Sequence, residues 1–233
     1  MIISALSLVG CGGGDAGTTT TSTTSGTDTP TDTSLVFSIF VPEYFDGNYA
    51  VSYTLAGSDT NGDSYIATQD ITSGEVKTYN LPPPKPVKEI IVSTSITNTS
   101  TNPPIETDIL DKKYFTYETD IKYAASEITI DSATYVVRTI TNEVIPLTAT
   151  IGDAGTVGNY TRAGTSFTQS WELTDGFNGK AKLIVTTVPD DTSSDLYPTT
   201  IEKLLISQDG TVSGYELIII YHPDGKTITL TSL

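Results

Sequence analysis

From residue 35 to the C-terminus, short apolar stretches alternate with polar turn residues at a spacing that predicts β-strands. The clearest unit is the last one, where an apolar run over 215–221 is followed by His-Pro-Asp-Gly and by a return stretch over 226–231. Proline and Asp-Gly are favoured in tight turns. The return stretch alternates Ile or Leu with Thr, as a half-exposed strand does, whereas the preceding run is apolar on both faces. The pattern predicts a β-hairpin with one buried strand.

Similar strand-like stretches occur throughout the rest of this region. The residues from about 166 to 232 are typical of an antiparallel meander, because each apolar stretch is separated from the next by a Gly- or Asp-containing turn. Only residues 119–126 have a composition that favours a short helix. Outside the C-terminal hairpin, strands are predicted over 35–41, 49–56, 64–70, 87–97, 113–117, 167–173, 180–187, 201–207 and 211–213.

Two segments, 52–62 and 170–179, share a strand followed by an Asn-Gly turn, with an aromatic residue in the strand. Duplication of one module accounts for this similarity, and so does the common use of Asn-Gly in hairpins. We predict an all-β fold built from two tandem antiparallel β-sandwich or meander modules, residues 35–143 and 144–233. One extended β-sandwich is the alternative.

The N-terminal residues differ from this pattern. An apolar stretch ends in Leu8-Val9-Gly10-Cys11, which resembles the lipobox of bacterial lipoproteins. In that family the cysteine is acylated and the signal peptide is cleaved just before it. The resemblance therefore implies a signal peptide over 1–10 and lipidation of Cys11. Signal peptides usually begin with basic residues and span about 15–30 residues, so we expect the true start to lie upstream of Met1.

A stretch rich in Gly, Thr, Ser, Asp and Pro follows the cysteine. Such residues bury little apolar area, which predicts a disordered, Thr-rich tether up to residue 34. Gly12, rather than Asp, follows the cysteine, and the resemblance to lipoproteins then favours the outer membrane. We expect a lipid-anchored protein of the bacterial cell envelope, exposed to the periplasm or at the cell surface.

Composition limits the chemistry of the folded region. With 28 acidic and 12 basic residues, the net charge is −16, and a field of this sign repels nucleic acid. The single cysteine and the single histidine exclude an intramolecular disulfide and any multi-histidine metal site. We predict no catalytic residue, because no nucleophile elbow or phosphate-binding loop is present.

The expected role is therefore non-enzymatic, structural or binding, with an envelope protein or a glycan as the partner. A hydrolase that uses a pair of carboxylates is a weaker alternative, since 28 acidic residues make some pairs unavoidable.

Residues 59–70 contain the one candidate cofactor site. Asp59, Asn61, Asp63 and Asp70 fall at positions 1, 3, 5 and 12 of a twelve-residue stretch, which is the oxygen spacing of EF-hand calcium loops. The sixth residue is Ser64 rather than Gly, and the flanking residues favour strands rather than helices. Asp, Asn and Gly are also common in metal-free hairpin turns. The alternatives are thus a calcium-dependent glycan- or protein-binding module and a plain turn.

Overall fold

A computed structural model of the chain describes residues 28–79, 85–117, 120–192, 197–222 and 224–233, so the predicted signal peptide and Cys11 lie outside the described residues. Within these ranges the chain contains fourteen strands and one short 3-10 helix (Pro42–Phe45). No helix there is long and apolar enough to cross a membrane. The strands are β1 (Val36–Ser38), β2 (Ala50–Asp59), β3 (Ser64–Tyr79), β4 (Lys85–Asn98), β5 (Ile105–Thr116), β6 (Lys122–Ile130), β7 (Ala133–Asn142), β8 (Thr148–Thr150), β9 (Ala154–Arg162), β10 (Thr165–Asp175), β11 (Ala181–Pro189), β12 (Thr199–Ile206), β13 (Val212–Ile220) and β14 (Thr227–Ser232).

Twelve of these strands form one closed antiparallel barrel in the order β2 to β7, β9 to β14 and back to β2. The all-β class and the antiparallel order of the strands within 166–232 are confirmed. The prediction of tandem modules over 35–143 and 144–233 is wrong, and so is the extended sandwich. Two pairings join the halves into one sheet, with Val137 opposite Arg162 and Gly57 opposite Leu230. Closure leaves none of the twelve barrel strands at a sheet edge, whereas two separate modules would each have had edge strands to cover.

The interior of the barrel is the apolar side of the sheet. Along β10, Phe167, Trp171 and Leu173 are buried, whereas Thr168 and Glu172 between them are exposed. This is the period-two alternation of a strand with one face on a core. Twelve strands enclose more space than the eight that side chains alone usually fill, and part of this space is taken by the N-terminal segment.

The N-terminal segment covers one end of the barrel, here named the bottom end, where the β10–β11 and β12–β13 turns lie. Its strand β1 pairs with β8, and the Ser38 amide donates to the Gln208 carbonyl in the β12–β13 turn (2.8 Å). Phe37 and Tyr44 are fully buried, and the Tyr44 ring lies 6.5 Å from that of Phe115 in β5. The opposite end, named the top end, carries the β2–β3, β6–β7, β9–β10 and β13–β14 turns.

The described end of the predicted tether is bonded to the barrel. Thr31 is 5% exposed. Its amide donates to the Asp175 carboxylate (3.1 Å) and its hydroxyl to the Lys180 carbonyl (2.8 Å). The chain therefore enters the fold at the bottom end, before the strand predicted from residue 35.

The helix predicted over 119–126 is wrong, because Lys122–Ile130 forms strand β6. Ala124 and Ala125 suggested a helix, since alanine is the best helix former. In the structure these two residues belong to a second buried cluster with Val87 and Tyr114. The rings of Tyr114 and Tyr79 fill the space beside the two alanines, so only small side chains fit there. Packing in the sheet therefore outweighs the helix propensity of alanine.

Candidate ligand site in the barrel interior

Charged side chains lie inside the barrel among the apolar ones. Asp111, Lys113, Arg162 and Glu202 are each 1% exposed. In β5, the alternation of the strand places Asp111 and Lys113 inward together with the buried Ile109 and Phe115 on either side of them. A buried charge is costly unless it is paired and hydrogen-bonded, so the partners of these four groups define what the interior can bind.

Asp111 and Lys113 form a buried ion pair, with 3.7 Å between Lys113 Nζ and Asp111 Oδ2. Burial raises the pKa of Asp111 to about 6, although the neighbouring Lys113 ammonium favours the ionised carboxylate and opposes this rise. Burial also lowers the pKa of Lys113, and the Asp111 carboxylate opposes that change. The pair therefore changes its protonation state closer to neutral pH than an exposed aspartate would.

Arg162 forms no ion pair with a carboxylate among the described residues. Its guanidinium carbon lies 4.7 Å from the ring centroid of Tyr197, 5.5 Å from that of Phe167 and 5.7 Å from that of Tyr135. These distances allow cation–π attraction. Nε and both terminal nitrogens of the guanidinium have no hydrogen-bond partner within the part of the chain that the structure describes.

A small cavity of about 10 Å³ adjoins these groups. Arg162, Asp111, Lys113, Ser126 and Gln169 are among the residues that line it. Asp111 Oδ1, like the guanidinium nitrogens, has no hydrogen-bond partner among the described residues. The space suits one water-sized particle, and the donors and the acceptor around it are available to bind that particle.

The structure places the predicted calcium ligands at the top end of the barrel. Asp59 Oδ1 accepts the backbone amides of Asn61 and Asp63, both at 2.9 Å. Asp59 Oδ2 accepts the Tyr65 hydroxyl and lies 3.1 Å from Lys226 Nζ. Burial raises the pKa of Asp59, but these hydrogen bonds outweigh burial, and the pKa lies below its ordinary value.

The four predicted ligands are only partly brought together. Asp63 lies beside Asp59, whereas Asp70 lies within β3, paired with Ser52 and Ser93, about 20 Å along the strand from its start. Within the described ranges, no group of three or more His, Cys, Asp or Glu side chains is arranged to hold a metal ion. Calcium binding through Asp59, Asn61 and Asp63 stays a prediction, and it requires the Lys226 ammonium to leave the Asp59 carboxylate.

The interior charges were not predicted from the sequence, although one signal for them exists. Asp111 and Lys113 alternate in phase with Ile109 and Phe115, which places them on the apolar face once a strand is assumed. Arg162 offers no such signal, because its neighbours Tyr135 and Tyr197 are distant in sequence.

No family model matches the chain, and no match is found among curated proteins or solved structures.

Proposed function

We propose that the protein is a lipid-anchored binding protein of the bacterial cell envelope, held through Cys11 and presenting the top end of its barrel to an envelope protein or a glycan. The observation that carries the proposal is the place where the chain enters the barrel. Thr31 is bonded to the β10–β11 turn at the bottom end. In this proposal the bottom end is therefore the tethered end, and the top end is the end that meets the partner.

Side-chain bonds hold the strand ends together at the top end, which supports a binding role for the turns there. Lys226 in the β13–β14 turn bonds Asp59 at the end of β2 and the Tyr65 hydroxyl in β3. The amide nitrogen of Asn98, at the end of β4, donates to the same hydroxyl (3.2 Å). The ends of β2, β3 and β4 are thereby linked to the β13–β14 turn. Binding residues are commonly carried on loops that such a scaffold positions.

The anchor is tested by replacing the only cysteine of the chain. We expect the Cys11→Ser protein to lose incorporation of an alkyne-labelled fatty acid and to move from the membrane fraction to the soluble fraction. The wild-type protein is the reference for both measurements. Retention of the Cys11→Ser protein in the membrane fraction would contradict lipid anchoring at this residue.

The presenting end is tested with a thiol-reactive photo-crosslinker in intact envelopes. Acylation blocks Cys11, the one cysteine of the given sequence. A newly introduced cysteine is therefore the one thiol of this sequence that the cross-linker can label. Ser132 in the β6–β7 turn is exposed at the top end, and Gln208 in the β12–β13 turn is exposed at the bottom end. We expect a cross-linked partner with Ser132→Cys and not with Gln208→Cys. A partner captured only from position 208 would reverse the proposed orientation.

A further inference from the structure

The β10–β11 turn holds an exposed aromatic residue in a backbone conformation that suits other residue types. Phe177 has a φ of 62° and the next residue, Asn178, has a φ of 55°. Asn, Asp and Gly tolerate this left-handed region, whereas a bulky aromatic residue is strained in it. Phe177 is nevertheless 41% exposed, so the fold gains little burial from it. Strained residues are common at functional sites, which indicates that the ring has a contact outside the fold.

Other large apolar side chains are exposed at the same end of the barrel. Val36 in β1, and Val144 and Leu147 in the connection before β8, are each between 47% and 63% exposed. Together with Phe177 they are named the bottom patch. In the described part of the chain, no top-end turn carries an exposed large apolar residue, and those outside the patch lie in barrel strands or at the C-terminus. The connections at the two ends therefore differ in surface chemistry, and the bottom end is the apolar one.

Backbone hydrogen bonds place the bottom patch on neighbouring segments. The Asn178 amide donates to the Thr29 carbonyl (2.8 Å), which joins the β10–β11 turn to the segment that continues into β1. The Ile39 amide, just after β1, donates to the Leu147 carbonyl (2.9 Å). Val36 lies between these two bonds along the chain, so one segment connects the parts of the patch across the bottom end.

A lipid bilayer is the occupant that the position of the bottom patch favours. In the proposed function, on which this inference rests, acyl chains on Cys11 anchor the protein in a membrane. The described chain begins at Asp28, whose carboxylate accepts the Asn178 side-chain amide in the β10–β11 turn (3.4 Å), and residues 12–27 separate it from Cys11. Fully extended, a chain of that length spans at most roughly 60 Å. The membrane is therefore always close to the patch, and this high local concentration lets a small apolar surface bind.

The charge of the protein limits the contacts that can hold the patch on a membrane. The net charge of −16 repels anionic headgroups, so apolar side chains must supply the attraction. Phenylalanine and leucine are typical of surfaces that lie in the boundary between headgroups and acyl chains. We propose that the bottom patch docks on the lipid bilayer with Phe177 as its main anchor, and that docking holds the top end away from the membrane.

Quenching by brominated lipid tests this docking on the full-length protein. Cys11 is coupled to a maleimide phospholipid in phosphatidylcholine vesicles, so that attachment does not depend on acylation in the cell. We expect bromine on the acyl chains to quench the added emission of Phe177→Trp but not that of Ser132→Trp, which lies in a top-end turn. Every protein contains the buried Trp171, and the wild type supplies its baseline. Absence of quenching in Phe177→Trp would overturn the proposal.

Phe177→Asn removes the ring while keeping a residue that suits the turn. Asn tolerates the left-handed conformation, so we expect a melting temperature no lower than that of the wild type. With Leu147→Trp as the reporter, we expect Phe177→Asn to reduce quenching by bromine because the main anchor is lost. The control is Ile66→Asn, which removes an exposed apolar side chain from β3 and should leave quenching unchanged.

Two results with Phe177→Asn would count against the proposal. Undiminished quenching of the Leu147→Trp reporter would contradict the role of Phe177 as the main anchor. A lower melting temperature would show that the ring stabilises the fold, so its exposure and strain would no longer indicate a contact with lipid.

A second copy of the chain is the alternative occupant of the bottom patch. In that case Phe177→Trp would stay unquenched on vesicles, the uncoupled protein would sediment as a dimer, and docking on lipid would be overturned. Because Cys11 is coupled chemically, missing quenching leaves the proposed acylation and the proposed partner of the top end untouched. Missing incorporation of the fatty acid in cells would count against the proposed function and would not change the quenching result.

Discussion

At the scale of single residues, Asp59 at the end of β2 joins the β2–β3 turn, β3 and the β13–β14 turn. Its carboxylate accepts two backbone amides and the Tyr65 hydroxyl and pairs with Lys226. We expect Asp59→Ala to lower the free energy of unfolding by about 2–3 kcal/mol, because one buried and two part-buried hydrogen bonds are lost at once. Urea denaturation measures this change. The matched control is Asp209→Ala, which removes only exposed turn hydrogen bonding from Thr211 and should cost less than about 1 kcal/mol.

If calcium binds at Asp59, it competes with the Lys226 ammonium for the Asp59 carboxylate. The Lys226 ammonium occupies the side of Asp59 Oδ2, so a bound cation must displace it. If Asp59, Asn61 and Asp63 bind calcium, Lys226→Ala should bind it more tightly than the wild type. The measurement is the difference between melts in excess calcium and in EDTA for both proteins. A melt that calcium changes in neither protein would leave these residues as turn formers.

The buried carboxylate of Asp111 predicts an unusual pH dependence of stability. Its pKa is about 6 in the folded protein, against about 3.9 in an unfolded chain. Between pH 4 and pH 6, Asp111 is protonated more often in the folded state than in the unfolded chain. Raising the pH removes this proton from the folded state, so the contribution of Asp111 to stability falls as the pH rises from about 4 to above 6.

The charged and polar groups that face this carboxylate are Lys113, Arg162 and Ser126. We expect the melting temperature at pH 5, relative to pH 7.5, to be several degrees higher in the wild type than in Asp111→Asn. Comparing the two proteins removes the contribution of the other acidic residues. Parallel pH profiles of the two proteins would show that Asp111 does not titrate in this range.

At the scale of elements, the seam between β2 and β14 depends on one glycine. A β-carbon at Gly57 would overlap the Thr229 carbonyl oxygen, whereas one at Gly214, in β13, would lie at an ordinary 3.5 Å from Leu205. We expect Gly57→Ala to lower the free energy of unfolding by about 2 kcal/mol or more, because the backbones of the seam must separate. Gly214→Ala, the control, should change it by less than about 0.5 kcal/mol. Urea denaturation compares the two variants, and equal stabilities would contradict this role of Gly57.

The sequence predicted those elements whose signals are local. The β13–β14 hairpin was predictable because the residues after Tyr221 have the chemistry of a tight turn. Strand β6 was not, because its alanines favour a helix until the aromatic residues that pack nearby are known. Barrel closure has no local signal, since Gly57 and Leu230 become neighbours only in the folded chain. Arg162 and the aromatic rings around it were missed for the same reason, because β9, β10 and the residues before β12 contribute them separately.

At the scale of the whole molecule, closure predicts that the barrel unfolds as one unit. Fragments 35–143 and 144–233 would each lose the β7–β9 and β14–β2 pairings, and the first would leave β1 without β8. We expect neither fragment alone to give a cooperative melt by circular dichroism, whereas residues 28–233 should give a single transition. A cooperative melt of each fragment would instead indicate two independent folding units.

The pairing of β2 with β14 can form only late in the synthesis of the chain. A ribosome produces β2 early and β14 last, and the pairing of Ile228 with Asp59 spans most of the described chain. Until β14 is available, the remaining strands can form only an open sheet whose two unpaired borders invite other chains. A nascent or C-terminally truncated product that lacks β14 is therefore expected to associate with other chains through these two unpaired strands.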